Sequence, residues 1–299
     1  MTETAMVVSL RDEYVVHWFR GDDRIHTGAV VRHAYSADAV GYLAEIGSTL
    51  RLLRERVGAG PAGEPLPVVL ALDGELDRLS GLVSTTSLWE SREVHPGELL
   101  ERFIAPVSLD LTDIEPVLAR AALACSANDP DAVTAVVQLG YRMALHLGVG
   151  GRLTGGEQAE RIIEGVNHRA LPGHDRLCRC GKRGCLATVL GSNSLVDRYQ
   201  AAGGRAAVRV GRGVVLAASD GDRIAQGVLD DAVTSLALAL EPWLDMLGPR
   251  HLVITGAGVA EPLGREMLSQ LADRLPPHQR SLPVTIVPLA EAAAAVVLP

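Results

Sequence analysis

Apolar positions fall into short alternating or continuous runs near the N-terminus and into longer helical patterns further along. Ala5 to Leu10 and Tyr14 to Phe19 predict two strands, and Gly21-Asp22-Asp23 supplies a hairpin turn into a third from Ile25 to Arg32. Over 37–57 the apolar residues Val40, Leu43, Ile46, Leu50 and Leu53 recur at the spacing of one helix face, and the pattern stops at Gly58-Ala-Gly60. A Pro/Gly loop over 61–67 precedes the apolar run Val68 to Leu72. A short helix at 98–103, a strand at 107–109 and a helix at 115–124 follow. Met143 to Leu147 is a buried strand running into Gly148-Val149-Gly150-Gly151. The later pattern predicts a helix over 194–202 and one long helix or a broken pair over 220–247. Leu252 to Thr255 is a strand of the parallel type, ending in Gly256-Ala-Gly258. A helix over 263–275, a strand over 284–287 and an Ala-rich closing helix over 290–297 complete the chain. Strands alternating with helices after opening hairpins predict an α/β protein. No internal repeat is evident.

Composition narrows this picture in three ways. The 299 residues suffice for one large domain or two medium lobes. Hydrophobic residues make up 47% but aromatic ones only 3%, so the core must be built from Ala, Val and Leu. The formal net charge is -8 with the acidic residues spread out, which weighs against a nucleic-acid partner. With no run of 18 apolar residues and no basic-then-apolar leader, the expectation is a soluble cytoplasmic protein with no membrane partner.

Three of the four cysteines lie within eight residues, in Cys178-Arg-Cys180-Gly-Lys-Arg-Gly-Cys185, with His168 ten positions upstream. One imidazole and three thiolates form a complete tetrahedral set for zinc with no position left for water, so the site reads as structural. Gly181 and Gly184 permit the bends that bring Cys180 and Cys185 to one ion. The competing reading is a set of buried free thiols beside an unrelated His. His174 is a second candidate imidazole, and Cys125 reads as a small core residue.

The stretch Cys178-x-Cys180-Gly181-x-x-Gly184-Cys185-Leu186 resembles the signature of the ROK family, which contains sugar kinases and transcriptional repressors. The likeness extends to the opening strand–hairpin–strand, Pro106-Val107, the glycines at 148–151 and those at 256–258. It implies a two-lobed actin/hexokinase-like (ribonuclease H-like) fold with an inserted zinc loop over 168–185. The N-terminal lobe would span 1–110 joined by 288–299, and the C-terminal lobe 111–287. It also implies zinc on His168, Cys178, Cys180 and Cys185, sugar and nucleotide between the lobes, and a homodimer. The family's repressors carry an additional helix-turn-helix; only about four residues precede the first expected strand here, so a repressor is disfavoured.

Several positions depart from the family pattern. The family's first phosphate turn is Asp-x-Gly-Gly-Thr; here it is Ser9-Leu10-Arg11-Asp12-Glu13, without glycines and with two acids that would repel phosphate. The family's Asn-Asp pair, source of the catalytic base, falls on Thr112-Asp113 with one insertion, or on Leu111-Thr112 without it. Asp113 is thus a candidate base and equally a helix N-cap ahead of Pro116. Of two sugar-gripping carboxylates, one position holds Gly165, with Glu164 beside it, and the other holds Ala187. Asp73, Gly74 and Trp89 resemble the stretch lining the sugar side, where Trp89 would stack on a ligand or simply pack. Gly148, Gly150 and Gly151 resemble the second phosphate hairpin, and Gly256 and Gly258 an adenosine-facing turn; each also reads as an ordinary turn. His168 would orient a ligand through its other ring nitrogen.

Three readings follow. The chain is a sugar-kinase-like protein that no longer transfers phosphate and binds a sugar-like metabolite or a partner protein. Alternatively, it is an ATP-dependent hexose kinase with Asp113 as base. In the third reading its cleft serves other small-molecule chemistry. The same departures put ATP and magnesium in question.

Overall fold

The computed structural model describes residues 3–9, 13–21, 23–27, 31–32, 38–57, 64–77, 79–86, 88–126, 132–140, 143–154, 165–178, 180–209, 211–256, 262–288, 292–293 and 295–296. They form two compact units, Met1–Val117 with Val296–Pro299, and Leu118–Ala295.

The first unit contains β1 (Glu3–Ser9), β2 (Glu13–Arg20), β3 (Asp23–Thr27), β4 (Val31–Arg32), α1 (Ala39–Val57), β5 (Leu66–Leu72), β6 (Glu75–Asp77), β7 (Leu82–Thr85), α2 (Pro96–Ile104) and β8 (Val107–Asp113). Its main sheet has the order β3-β2-β1-β5-β8, with β4 paired to β2. β1 runs antiparallel to β2 and parallel to β5, which runs parallel to β8. Helix α1 buries Leu43, Ile46, Leu50 and Leu53 against this sheet. Val40, expected on the same stripe, is 40% exposed, and Ala39 and Tyr42 are buried instead. The aromatic residues the chain does have are concentrated here: Tyr14, Trp18, Tyr42 and Trp89 all belong to this core.

Helix α3 (Ile114–Ser126) crosses from the first unit into the second, which continues with β9 (Val133–Leu139), β10 (Met143–Val149), β11 (Arg152–Leu153), α4 (Ala187–Leu190), α5 (Ser192–Ala201), α6 (Gly211–Ser219), α7 (Arg223–Leu247), β12 (His251–Gly256), α8 (Pro262–Ser269), α9 (Leu271–Arg274) and β13 (Val284–Pro288). The sheet order is β11-β10-β9-β12-β13, again with two antiparallel and two parallel pairings. The two units therefore repeat one topology, with β1, β2, β3, β5 and β8 equivalent to β9, β10, β11, β12 and β13. The sequence hides this repeat because the two halves satisfy the same pattern with unrelated side chains.

The 220–247 pattern resolves into one unbroken α7, with a separate α6 before it. Asp222 caps α7, its Oδ1 accepting from the Ile224 (2.9 Å) and Ala225 (3.1 Å) amides, while its Oδ2 accepts from the Tyr199 hydroxyl (2.5 Å). Gly248 ends the helix at φ +54°. No helix among the described residues is long and apolar enough to cross a membrane. One face of the second sheet packs on α7 through Ala135, Val137, Leu145 and Ile254. The residues alternating with these include Gln138, His146 and Thr255, with Thr255 paired across to Gln138. Gln138 Oε1, His146 Nε2 and Thr255 Oγ1 are buried without a hydrogen-bond partner among the described residues. Burial pushes the His146 imidazole down to about 4.

Candidate functional site

The segment from Gly165 to Cys185 folds as a compact knuckle beside α7. A helical turn at 165–167 delivers His168, and isolated bridges Ala170↔Cys185 and Leu177↔Arg183 fold the rest back on itself. Within the tight bend the Cys178 amide donates to the Lys182 carbonyl (2.8 Å) and the Gly181 amide to the Cys178 carbonyl (2.9 Å). Gly181 has φ +84° and Gly184 φ +68°. A Cβ on Gly184 would stand 2.1 Å from the His174 carbonyl oxygen, so only glycine lets the two chain segments approach this closely.

This bend brings four donor atoms together. One ligand atom from each of His168, Cys178, Cys180 and Cys185 lies within 4.8 Å of the others. His168 Nδ1 is 3.4 Å from Cys178 Sγ, and Cys180 Sγ is 3.6 Å from Cys185 Sγ. Donors around a tetrahedral zinc are separated by about 3.5–3.8 Å, given metal–ligand bonds near 2.0–2.3 Å. A disulfide would need about 2.05 Å. The set thus fits a metal ion and not a bridge. Without an ion, burial and then the neighbouring thiols raise Cys185 to about 12 and keep it protonated, whereas the Lys182 amide holds Cys180 low; a cation at the centre would favour the thiolate form of all three. His174 stays out of the cluster; its Nε2 is 3.1 Å from Ser235 Oγ on α7 and 3.6 Å from Asp231 Oδ2.

In the first unit a second group of residues collects where β1, β5 and β8 end. Such carboxyl ends of parallel strands are where ligands bind in open α/β sheets. The register sets Leu72 opposite Asp113, so Asp73, Thr112 and Asp113 sit at one edge with Ser9 at the end of β1. Thr86 Oγ1 donates to the Asp73 carbonyl (2.6 Å) and reaches its Oδ1 (3.1 Å), fixing that carboxylate. Burial raises the Tyr42 phenol, the Ser9 hydroxyl opposes this, and Asp73 adds to it. Asp113 directly precedes the first residue of α3, which is the N-cap position. Gly74 has φ +151°, and a Cβ there would meet the Thr85 carbonyl oxygen at 2.2 Å; this close approach explains the glycine. Trp89 is 2% exposed and packs against Tyr42 with ring centroids 5.6 Å apart, so its face is taken up by the core.

The remaining glycines fall at turns and crossings. Gly150 (φ +59°) and Gly151 (φ +73°) form the two-residue turn between β10 and β11. By the repeated topology that turn is equivalent to the one at Gly21 between β2 and β3. The equivalent of the Ser9–Glu13 turn is instead the β9–β10 connection, residues 140–142, which reads Gly-Tyr-Arg. Gly148 admits the Leu123 side chain, which a Cβ would meet at 2.5 Å. Gly256 has φ +125° and abuts the Leu139 carbonyl. Residues 10–12, Glu164 and Gly258 lie outside the described residues. Ala187 opens α4, and Gly165 faces the Trp243 ring, 2.9 Å from where a Cβ would stand.

With this geometry in place the comparisons have a clear outcome. The model of the ROK family matches residues 113–294, more than half of the chain. A search of curated proteins finds no match. Among solved structures, a ROK hexokinase from Thermus thermophilus superposes with a TM-score of 0.63 at 17% identity, covering 99% of this chain and 98% of that one. A ROK family glucokinase from Streptomyces griseus, in complex with glucose and AMPPNP, gives 0.63 at 15% identity with the same coverage of 99% and 98%. A ROK family transcriptional regulator, a homolog of the E. coli MLC protein, gives 0.58 at 16% identity, covering 98% of this chain and 76% of that one. The two repeated α/β units are thus the actin/hexokinase-like fold of these proteins, with a Cys/His cluster that could hold a metal. The chain belongs to the ROK family.

Proposed function

We propose that this chain is a sugar-kinase-like ROK protein that has given up phosphoryl transfer, keeps a structural zinc, and binds a small sugar-like metabolite or a partner protein. The observation that carries this reading is the composition of the two equivalent hairpin turns. A nucleotide triphosphate is held where backbone amides can approach its oxygens without side chains in the way. Here one turn is Leu-Arg-Asp-Glu after Ser9 and the other is Gly-Tyr-Arg. Neither sequence offers a glycine pair, and the first includes two acidic residues, whose charge opposes phosphate. Loss of the gripping carboxylates at Gly165 and Ala187 further weakens hold on an ordinary hexose, since each hydroxyl–carboxylate bond contributes roughly 1.5–3 kcal/mol.

Zinc is the ion best matched by one imidazole and three thiolates. On His168, Cys178, Cys180 and Cys185 it would cross-link the knuckle; no substrate position is left on it. Asp73, Thr112 and Asp113 are the side chains offered to hydroxyl groups at the strand ends. A homodimer in a reducing cytoplasm, with no nucleic acid or membrane partner, is the setting this reading implies.

A second reading retains one supporting observation. Asp113 stands beside Asp73 at the edge where a base would take a proton from a sugar hydroxyl. The test is ADP release by the zinc-loaded protein over a panel of hexoses with magnesium and ATP. The proposal expects none above background. Turnover abolished by Asp113→Ala would establish the kinase reading in its place.

A further inference from the structure

An open groove of about 490 Å³ lies between the metal knuckle and the end of α7, lined by Gly165, His168, Arg169, Lys182, Trp243 and Met246 among others. Its volume falls in the range of small-molecule sites. We propose that this groove is a binding site for an anion with a flat apolar body, of the aromatic carboxylate class. The proposal is independent of whether the protein transfers phosphate.

Two features of the walls lead to this class. One wall is cationic: Arg169 and Lys182 have no carboxylate within ion-pair distance among the described residues, in a chain whose net charge is -8. Lys182 is the single lysine of the sequence, placed inside the metal bend, where the Cys178–Lys182 backbone hydrogen bond fixes its position. Arg supplies a planar fork for two carboxylate oxygens and Lys a point charge. The other wall is apolar: Trp243, Pro242 and Met246, from the last turns of α7, with Met246 61% exposed. Gly165 lacks the side chain that would collide with the indole, so the edge of its six-membered ring comes close to the knuckle and Trp243 lines the groove. Asp245, the acid on this turn, is already engaged by His278 Nε2 at 2.7 Å and by Gln279. The C-terminal end of α7 carries about half a negative charge and a zinc on three thiolates and an imidazole would carry a net single negative charge, so the two full cations leave a small positive excess.

Lys182 also supports the Cys180 thiolate, so the test must separate ligand binding from metal retention. Trp18 and Trp89 are buried, which leaves Trp243 as the indole able to report on the groove. Benzoate, its neutral isostere benzamide, and inorganic phosphate are titrated into the zinc-loaded full chain, followed by tryptophan fluorescence and by calorimetry. Saturable benzoate binding is expected, about tenfold weaker for benzamide and for Arg169→Ala or Lys182→Ala, with one zinc per chain retained in both variants. Trp243→Ala should weaken benzoate about tenfold in calorimetry and leave phosphate unchanged. No saturable binding of benzoate would overturn the proposal. So would benzamide or phosphate binding as tightly as benzoate, or full affinity in the two cation variants.

Discussion

His146 shows how one buried side chain makes the whole fold sensitive to acid. Its imidazole is held neutral down to about pH 4 by burial, against about 6.5 when unfolded. Below pH 6.5 the unfolded chain therefore binds a proton that the folded one refuses. Stability is complete above 6.5 and falls as pH drops toward 4, by about 3 kcal/mol over that window. Denaturant unfolding of His146→Gln should show a clearly flatter pH profile between 4 and 6.5 than the parent; an identical slope in both would remove His146 from this role. Glycine positions give a second contrast at this scale. Gly184→Ala sets a methyl against the His174 carbonyl at a left-handed φ, and should cost more than about 2 kcal/mol and release the metal. Gly181→Ala faces open space and should cost only about 1 kcal/mol, measured by thermal unfolding with zinc content alongside.

At the scale of elements, the metal knuckle is where sequence and structure agree most fully. Three cysteines in eight residues have few ways to be close, so spacing alone identified the cluster, and the choice of His168 over His174 came from the family resemblance. The structure supplies the reason: His174 is turned onto Ser235 of α7. Because an ion on these four donors would be held only by the folded state, Cys180→Ser or a chelator should remove several kcal/mol and lower Tm by roughly 5–10 °C, seen by calorimetric scanning with elemental analysis. An equally stable, metal-free preparation would contradict this. Strands and helices with clear periodicity were legible too, α1, β5 and β12 among them. What was not legible is what lacks a pattern of its own. β9, Val-Thr-Ala-Val-Val-Gln-Leu, is buried on both faces and shows no clean alternation, and β6 and β7 are too short to show any. The glycines at 148–151 look like a phosphate turn in sequence, and only the strand pairing shows them at β10–β11.

The whole molecule is a duplicated α/β topology whose architecture outlasts particular side chains. Solved relatives at 15–17% identity share it at TM-scores of 0.63. The structure accounts for such tolerance: backbone ladders and an Ala/Val/Leu core specify the fold, whereas phosphate and sugar recognition depend on a handful of turn glycines and carboxylates. Those few positions can change without disturbing either sheet, and under the proposed function here they have. Ser9 still pairs with Tyr14 across the β1–β2 hairpin, and the sequence Ser9-Leu10-Arg11-Asp12-Glu13 holds no glycine; under the proposed function this is the loss of a triphosphate site. Titration of the zinc-loaded chain with magnesium and ATP by isothermal calorimetry tests this most directly. The account predicts no saturable heat into the millimolar range, and binding at micromolar concentration would contradict it.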